Sequence, residues 1–217
     1  METEKLTIFN ENYERCGIAT REEVHKKGYW HETFHCWVMK REDEVDYLYF
    51  QLRSRSKKDY PYLFDITAAG HILAHETIKD GVREIEEEIG LAVSFSELIE
   101  VGQIRYSVHH DELIDNELAN VFLYLLKGNV EWKLQKEEVA GIGRVPIQVF
   151  SELIEGKRTE VKIEGFEINE CGEQQNFNKV VQMHHFVPHE RSFYKTVLER
   201  MNRLNQVGRE GGVLESF

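Results

Sequence analysis

Residues 70–91, GHILAHETIKDGVREIEEEIGL, constrain this chain more than any other segment. Ile78, Val82, Ile85 and Ile89 recur at spacings of four, three and four, which puts them on one helical face, and Gly90 supplies a stop. The spacing predicts a helix over 78–89. On that helix Glu84, Glu87 and Glu88 stand at i, i+3 and i+4 and are neighbours on one face. Each like-charge contact destabilises a helix by about 0.2–0.5 kcal/mol, whereas a hard divalent cation takes oxygen ligands in this kind of arrangement. For the EIEEE run alone, a solvated Glu-rich face is the competing explanation.

The rest of the chain reads as strands interspersed with a few helices, an α/β or α+β layered fold. Phe34–Met39 and Val45–Leu52, separated by the charged stretch Lys40 to Glu44, predict a β-hairpin. Arg53 to Asp59 is basic and polar, Tyr60-Pro61 reads as a turn, and Leu63 to Ala69 is extended up to Gly70. Leu98–Val108 and Leu118–Leu126 read as strands around an acidic segment, His109 to Glu117. A helix is expected after Pro146, carrying Val149, Phe150, Leu153 and Ile154, and another over Pro188 to Leu204 with Phe193, Val197, Met201 and Leu204 on a stripe. Residues 158–182 give no clear pattern, and the Gly-rich end, Gly208 to Gly212, reads as a frayed tail.

With 217 residues the chain suits one decorated domain, expected over 1–207 with a core at about 30–156, and a flexible tail over 208–217. Its 27 basic and 39 acidic side chains give a net charge of −12, which offers no attraction to nucleic-acid backbones or anionic membranes. Cys16, Cys36 and Cys171 are odd in number and widely spaced, so neither a disulfide framework nor a zinc knot is expected, and a reduced, cytoplasmic setting fits. The N-terminus lacks a basic region followed by an apolar stretch, and the longest apolar run is Val121 to Leu126. No membrane partner is expected. A homodimer is compatible with the sequence, although no distinct stripe marks an interface.

Gly70, Glu76 and the run Arg83, Glu84, Ile85, Glu87, Glu88, Gly90, Leu91 resemble the Nudix box. One departure is the spacer Thr77 to Val82, a residue shorter than the family's usual one. The resemblance implies an α/β/α sandwich with a mixed sheet and extra N- and C-terminal elements. A strand, a loop and a helix would present Glu84, Glu87 and Glu88 as ligands to Mg²⁺ or Mn²⁺ beside a diphosphate. Arg83 would orient one carboxylate through a bidentate ion pair.

The stretch Leu6 to Gly90 resembles, more narrowly, the Nudix branch that contains type 1 isopentenyl diphosphate isomerase. WHETFHCW at 30–37, RSRSKKDYP at 53–61, Gly70-His71 and DNELANVF at 115–122 carry the match. It implies that His25, His31 and His71 lie near metal, that Asp115 and Glu117 complete an acidic metal site, and that Arg53 and Lys57 grip phosphate oxygens. Two departures separate the chain from the isomerase. Ala69 stands where the isomerase has its catalytic cysteine, and the hydrolytic Arg-Glu-x-x-Glu-Glu set is intact. His35 and His75 are read as structural, Cys36 as a buried small hydrophobe, Trp30, Trp37 and Trp132 as core, and the pairs His109-His110 and His184-His185 as pointing to opposite faces.

The expected activity is divalent-metal-dependent hydrolysis of a diphosphate linkage in a small organic or nucleoside diphosphate. Glu84 and Glu87, with Arg83, would be catalytic, and Glu117 is the second candidate for general base. The alternatives are an isomerase-like activity with another proton donor, and a non-catalytic sensor of a phosphorylated metabolite.

Overall fold

The computed structural model of the chain describes residues 4–110 and 113–209. Strands β1 (Lys5–Phe9) and β2 (Arg15–Thr20) pair antiparallel and lead into helix α1 (Arg21–Lys27). Thr20 and Glu23 form a reciprocal capping box at its start, and Gly28 ends it at φ 65°, a left-handed conformation that glycine adopts without strain. The expected hairpin follows as β3 (Trp30–Glu42) and β4 (Val45–Arg53). Its strands run further than their apolar segments. Glu42 pairs with Val45, so the turn is only Asp43-Glu44, both at positive φ as a two-residue hairpin of this hand requires. Arg41 reaches Asp46 at 3.3 Å across the ladder, which lets charged residues pair as strand.

β5 (Phe64–Ile66) and β6 (Ala68–His71) add to β4 and β3, and helix α2 (Arg83–Ile89) follows. The predicted helix over 78–89 is therefore α-helical only in its second part; Ile78–Val82 is a 3-10 turn. Thr77 and Asp80 cap that turn, and Gly81 packs so closely on Phe34 and Ile72 that an added Cβ would lie 2.7–2.8 Å from their side chains. The tight approach explains why the apolar period continues through a stretch that is not α-helix.

β7 (Ile99–His110) and β8 (Leu113–Leu125) form a long antiparallel pair. The acidic segment read as a connection is thus largely strand, and Asp115 and Glu117 are strand residues. Asp115 and Glu117 share one face, while Asn116, on the other, donates to Gly28 O at 2.7 Å. β9 (Val139–Pro146) runs into α3 (Ile147–Ile154) at Pro146, as expected. The stretch without a clear pattern is a second hairpin, β10 (Val161–Ile168) and β11 (Gln174–Val181). α4 (Arg191–Arg209) starts later than predicted because the chain before it is tied down outside a helix: Val187 N donates to Phe64 O, and His189 N turns back to Val187 O at 2.8 Å. The tail beyond residue 209 lies outside the described residues.

The sheet runs in the order β11-β10-β9-β4-β3-β1-β2, with β5 against β4, β6 against β3, and β8 between β3 and β7. β8 is parallel to β3 over Trp30–Met39, which makes the sheet mixed. Alternation along β3 builds both layers. Phe34, Cys36 and Val38 face α2 with Ile85 and Ile89, whereas Trp37 and Met39 face α3 and α4 with Phe150, Phe193 and Val197. Helices cover both faces, the expected α/β/α sandwich. No helix is long and apolar enough to cross a membrane among the described residues.

Candidate active site

A cleft of about 500 Å³ opens among α2, strands β3 and β8, and the loop after β4. α2 brings its carboxylates to one wall. Glu88 is buried, and its Oε2 accepts from Ala69 N at 3.0 Å and from Gln51 Nε2 at 3.3 Å. Glu84 rests directly on Gly70, where a Cβ would come within 2.2 Å of its carboxylate. This is the chemical reason for glycine at that position. Arg83 spreads its fork over the group: Nε and Nη2 take Glu76 at 2.8 and 3.1 Å, and Nη1 binds Glu84 and reaches Glu87 at 3.1 Å. The bidentate partner is thus Glu76, and the shorter spacer still delivers it to Arg83. Glu87 is the exposed member.

Burial raises Glu84 to about 7 against the pull of Arg83, and burial together with Glu84 pushes Glu88 well above the usual carboxylate range. Two neighbouring carboxyls made costly to ionise by burial are a donor set that a hard cation stabilises.

A second cluster adjoins the first, since Arg83 Nη2 also donates to His71 O at 3.2 Å. His25 on α1, His31 on β3 and His71 on β6 bring ring nitrogens within 4.8 Å of one another. Asp115 Oδ1 on β8 lies 3.5 Å from both His25 Nε2 and His31 Nε2. His31 Nε2 and Asp115 Oδ1 are buried without a hydrogen-bond partner, which is costly unless something else is bound there. Burial and His31 push His71 well below the usual imidazole range, leaving it neutral and able to ligate. The residues fit a divalent ion.

Next to it, Glu117 Oε2 is approached by Thr33 Oγ1 at 2.7 Å, Tyr106 Oη at 2.9 Å and His35 Nε2 at 2.9 Å. Burial and Asp115 push its carboxyl up, but His35 and His31 outweigh them and hold it below the usual range. Register explains the assembly. β3 and β8 pair in parallel, so the alternating His31, Thr33 and His35 meet Asp115 and Glu117 on one face.

Arg53 and Lys57 also line the cleft. Arg53 donates to Asp65 Oδ2 at 2.9 Å and to the carbonyls of Asp59 and Tyr60, so three of its five N–H donors fix the loop after β4. Lys57 pairs with Glu138. Every site residue singled out in the sequence thus lies in or beside one cleft. His35, Tyr106, Asp65 and His189 were not singled out. The period-two spacing of His31, Thr33 and His35 is the signal that would have found His35. Tyr106 and His189 come from distant segments with no local pattern. Cys36 is fully buried on the opposite face, with its Sγ toward Trp37 O, and among the described residues no cysteine lines the cleft.

No family model matches the sequence. An uncharacterised Nudix hydrolase of Clostridium acetobutylicum is 41% identical over 202 residues, covering 93% of this chain and 98% of that protein. An isopentenyl-diphosphate Delta-isomerase of Mycolicibacterium vanbaalenii is 26% identical over 148 residues, 67% of this chain and 78% of the isomerase. Among solved structures, a MutT protein of Methanosarcina mazei shares the fold with a TM-score of 0.51 at 18% identity, over 81% of this chain and 95% of the other. Identity at this level over nearly the whole of both chains, with the box residues meeting in one cleft, makes this chain a member of the Nudix hydrolase family.

Proposed function

We propose that this hydrolase cleaves the diphosphate linkage of a small organic or nucleoside diphosphate by water attack on phosphorus, with Mg²⁺ or Mn²⁺ held by Glu84, Glu87 and Glu88. The observation that carries the reading is the seating of Glu84 on Gly70 under the Arg83 fork, which fixes the carboxylates at the cleft wall. Bound metal would neutralise the diphosphate oxygens and lower the pKa of a coordinated water. Glu87, exposed beside Arg83, is positioned to accept the proton of the attacking water, and Glu117 is the second candidate. Arg83 keeps the carboxylates apart and aimed. Lys57 and the remaining donors of Arg53 would hold phosphate oxygens. His31, His71 and Asp115, with His25, would hold a second ion, for which imidazole nitrogens favour a first-row transition metal over Mg²⁺. The protein is assigned to the cytoplasm on its three free cysteines.

The test is hydrolysis of a panel of nucleotide sugars, nucleoside diphosphate derivatives and prenyl diphosphates with Mg²⁺ or Mn²⁺ in ¹⁸O-water. Label in the phosphate product supports attack on phosphorus. Absence of turnover across the panel refutes the reading. An isomerase activity is favoured by the similarity to the Mycolicibacterium isomerase and by the His-Asp cluster, but it needs a proton donor that neither Ala69 nor the distant Cys36 supplies. Incubation with isopentenyl diphosphate, followed by NMR for the dimethylallyl isomer, separates the two.

A further inference from the structure

His189 belongs neither to the Nudix box nor to the histidine cluster, yet it lines the cleft. It stands in the segment that joins β11 to α4, where its N–H turns back to Val187 O at 2.8 Å and Val187 N is held to Phe64 O of β5. Its Nε2 lies 2.8 Å from Asp65 Oδ1, an oxygen that also accepts from Ile66 N at 2.8 Å, while Asp65 Oδ2 takes Arg53 Nη1 at 2.9 Å. An aspartate bound by a guanidinium and an amide is a carboxylate and can only accept. Nε2 must therefore carry the proton that it shares with Asp65, and in the neutral ring Nδ1 keeps its lone pair.

Nδ1 is buried and has no hydrogen-bond partner, in a side chain only 9% exposed. The rings of Tyr106, Phe193 and Tyr194 pack around the imidazole, each with its centroid 5.5 Å from that of His189. The Tyr106 hydroxyl is donated to Glu117 and the Tyr194 hydroxyl to Val187 O, so neither serves Nδ1. Most buried polar side-chain atoms have a hydrogen-bond partner, so an unpaired ring nitrogen beside the cleft is a place for a ligand to complete. Here one nitrogen anchors the ring on an ion-paired aspartate, and the other is left without a partner in a ring at the cleft wall. The contacts of His189 are to β5, β7 and α4 rather than to the carboxylates of α2 that would meet the diphosphate.

We propose that His189 is a specificity-determining residue, whose Nδ1 accepts a hydrogen bond from a hydroxyl or N–H group on the organic part of the substrate. The enzyme would then favour a diphosphate carrying a polyol, sugar or nucleoside over one carrying a plain hydrocarbon chain. The inference deepens the hydrolase reading and rests on it.

The experiment measures kcat/KM for a matched series of alkyl diphosphates, with and without a terminal hydroxyl, on the wild type and on His189→Gln and His189→Asn. Gln keeps an ε donor for Asp65 but loses the δ acceptor; Asn places an oxygen near the δ position. The wild type is expected to prefer the best hydroxylated member about 10-fold, in KM rather than kcat. That preference should fall to about one in His189→Gln and survive in part in His189→Asn. No preference in the wild type, a preference unchanged in His189→Gln, or an equal loss of kcat on both kinds of substrate overturns the proposal. Failure to hydrolyse any member, or any other diphosphate, refutes the hydrolase reading instead. The wild-type comparison stands even if a variant does not fold.

Discussion

Replacing Gly70 by alanine tests the central geometry with one methyl group. The new Cβ would lie 2.2 Å from the carboxylate carbon and one oxygen of Glu84 and 2.6 Å from the other. Ordinary contact begins at 3.4 Å, so the carboxylate has to retreat by about 1 Å, the scale of misplacement that costs about 100-fold in a positioned catalytic group. The backbone does not object, because Gly70 is in strand β6 and is not among the positive-φ glycines. What yields is the far end of a flexible side chain, along with its bond to Arg83. The stability loss should therefore stay near 1 kcal/mol, a fall in Tm of about 2–4 °C for a chain of this size. Metal-dependent kcat/KM on whichever diphosphate the wild type turns over is expected to fall about 100-fold, with the unfolding transition still cooperative. Full activity in Gly70→Ala, with the substitution confirmed by mass, would refute the placement of Glu84 among the reacting groups.

Glu87→Gln should lower kcat about 10²–10⁴-fold. Its Tm should stay close to that of the wild type, since Glu87 is exposed; unchanged turnover removes the residue from the mechanism. For the histidine cluster, Mn²⁺ titration of chelator-treated protein followed by EPR should show one fewer bound ion in His31→Gln and His71→Gln than in the wild type. Equal stoichiometry would show that the cluster holds no metal. Acid titration addresses Asp65, where burial pushes the carboxyl up but the bond from His189 and the charge of Arg53 outweigh it and hold it low. A folded value below the unfolded value of about 3.9 means stability that is present above that pH and is lost as pH falls below it. Urea midpoints of the wild type should thus drop more steeply below about pH 4 than those of Asp65→Asn, and parallel curves would contradict the assignment.

How much of this was legible in the sequence depended on whether the signal was local. The helix face of Glu84, Glu87 and Glu88 sits within two turns, and the hairpin of β3 and β4 is two apolar runs with a charged break; both were readable. The 3-10 turn at Ile78–Val82 was not, because an apolar period tolerates either helix type and the deciding contact is Gly81 on Phe34, far away in sequence. α1 carries a single buried residue, Val24, so no periodicity announces the element that delivers His25. Polarity alone makes Asp115 and Glu117 resemble loop acids, yet a strand entering a polar cleft must turn polar on the side that faces it. His189 was invisible as a site residue. Its partner Asp65 is 124 positions away, and the sequence pattern places the non-helical Pro188–Glu190 segment inside a helix.

The parallel pairing of β3 with β8 also acts as a lock on the chemistry. Side chains alternate with a period of two, so a slip of one residue between these strands would turn Asp115 and Glu117 away from His31 and His35 and bring Ile114 and Asn116 in. The same slip would expel Ala119, Val121 and Leu123 from the core below α4. Site and core therefore share one registration, and neither can drift without the other. A side chain at the cleft end of the ladder, such as His35, can be exchanged without moving that register, so the chemistry of the cleft can vary while the ladder stays whole.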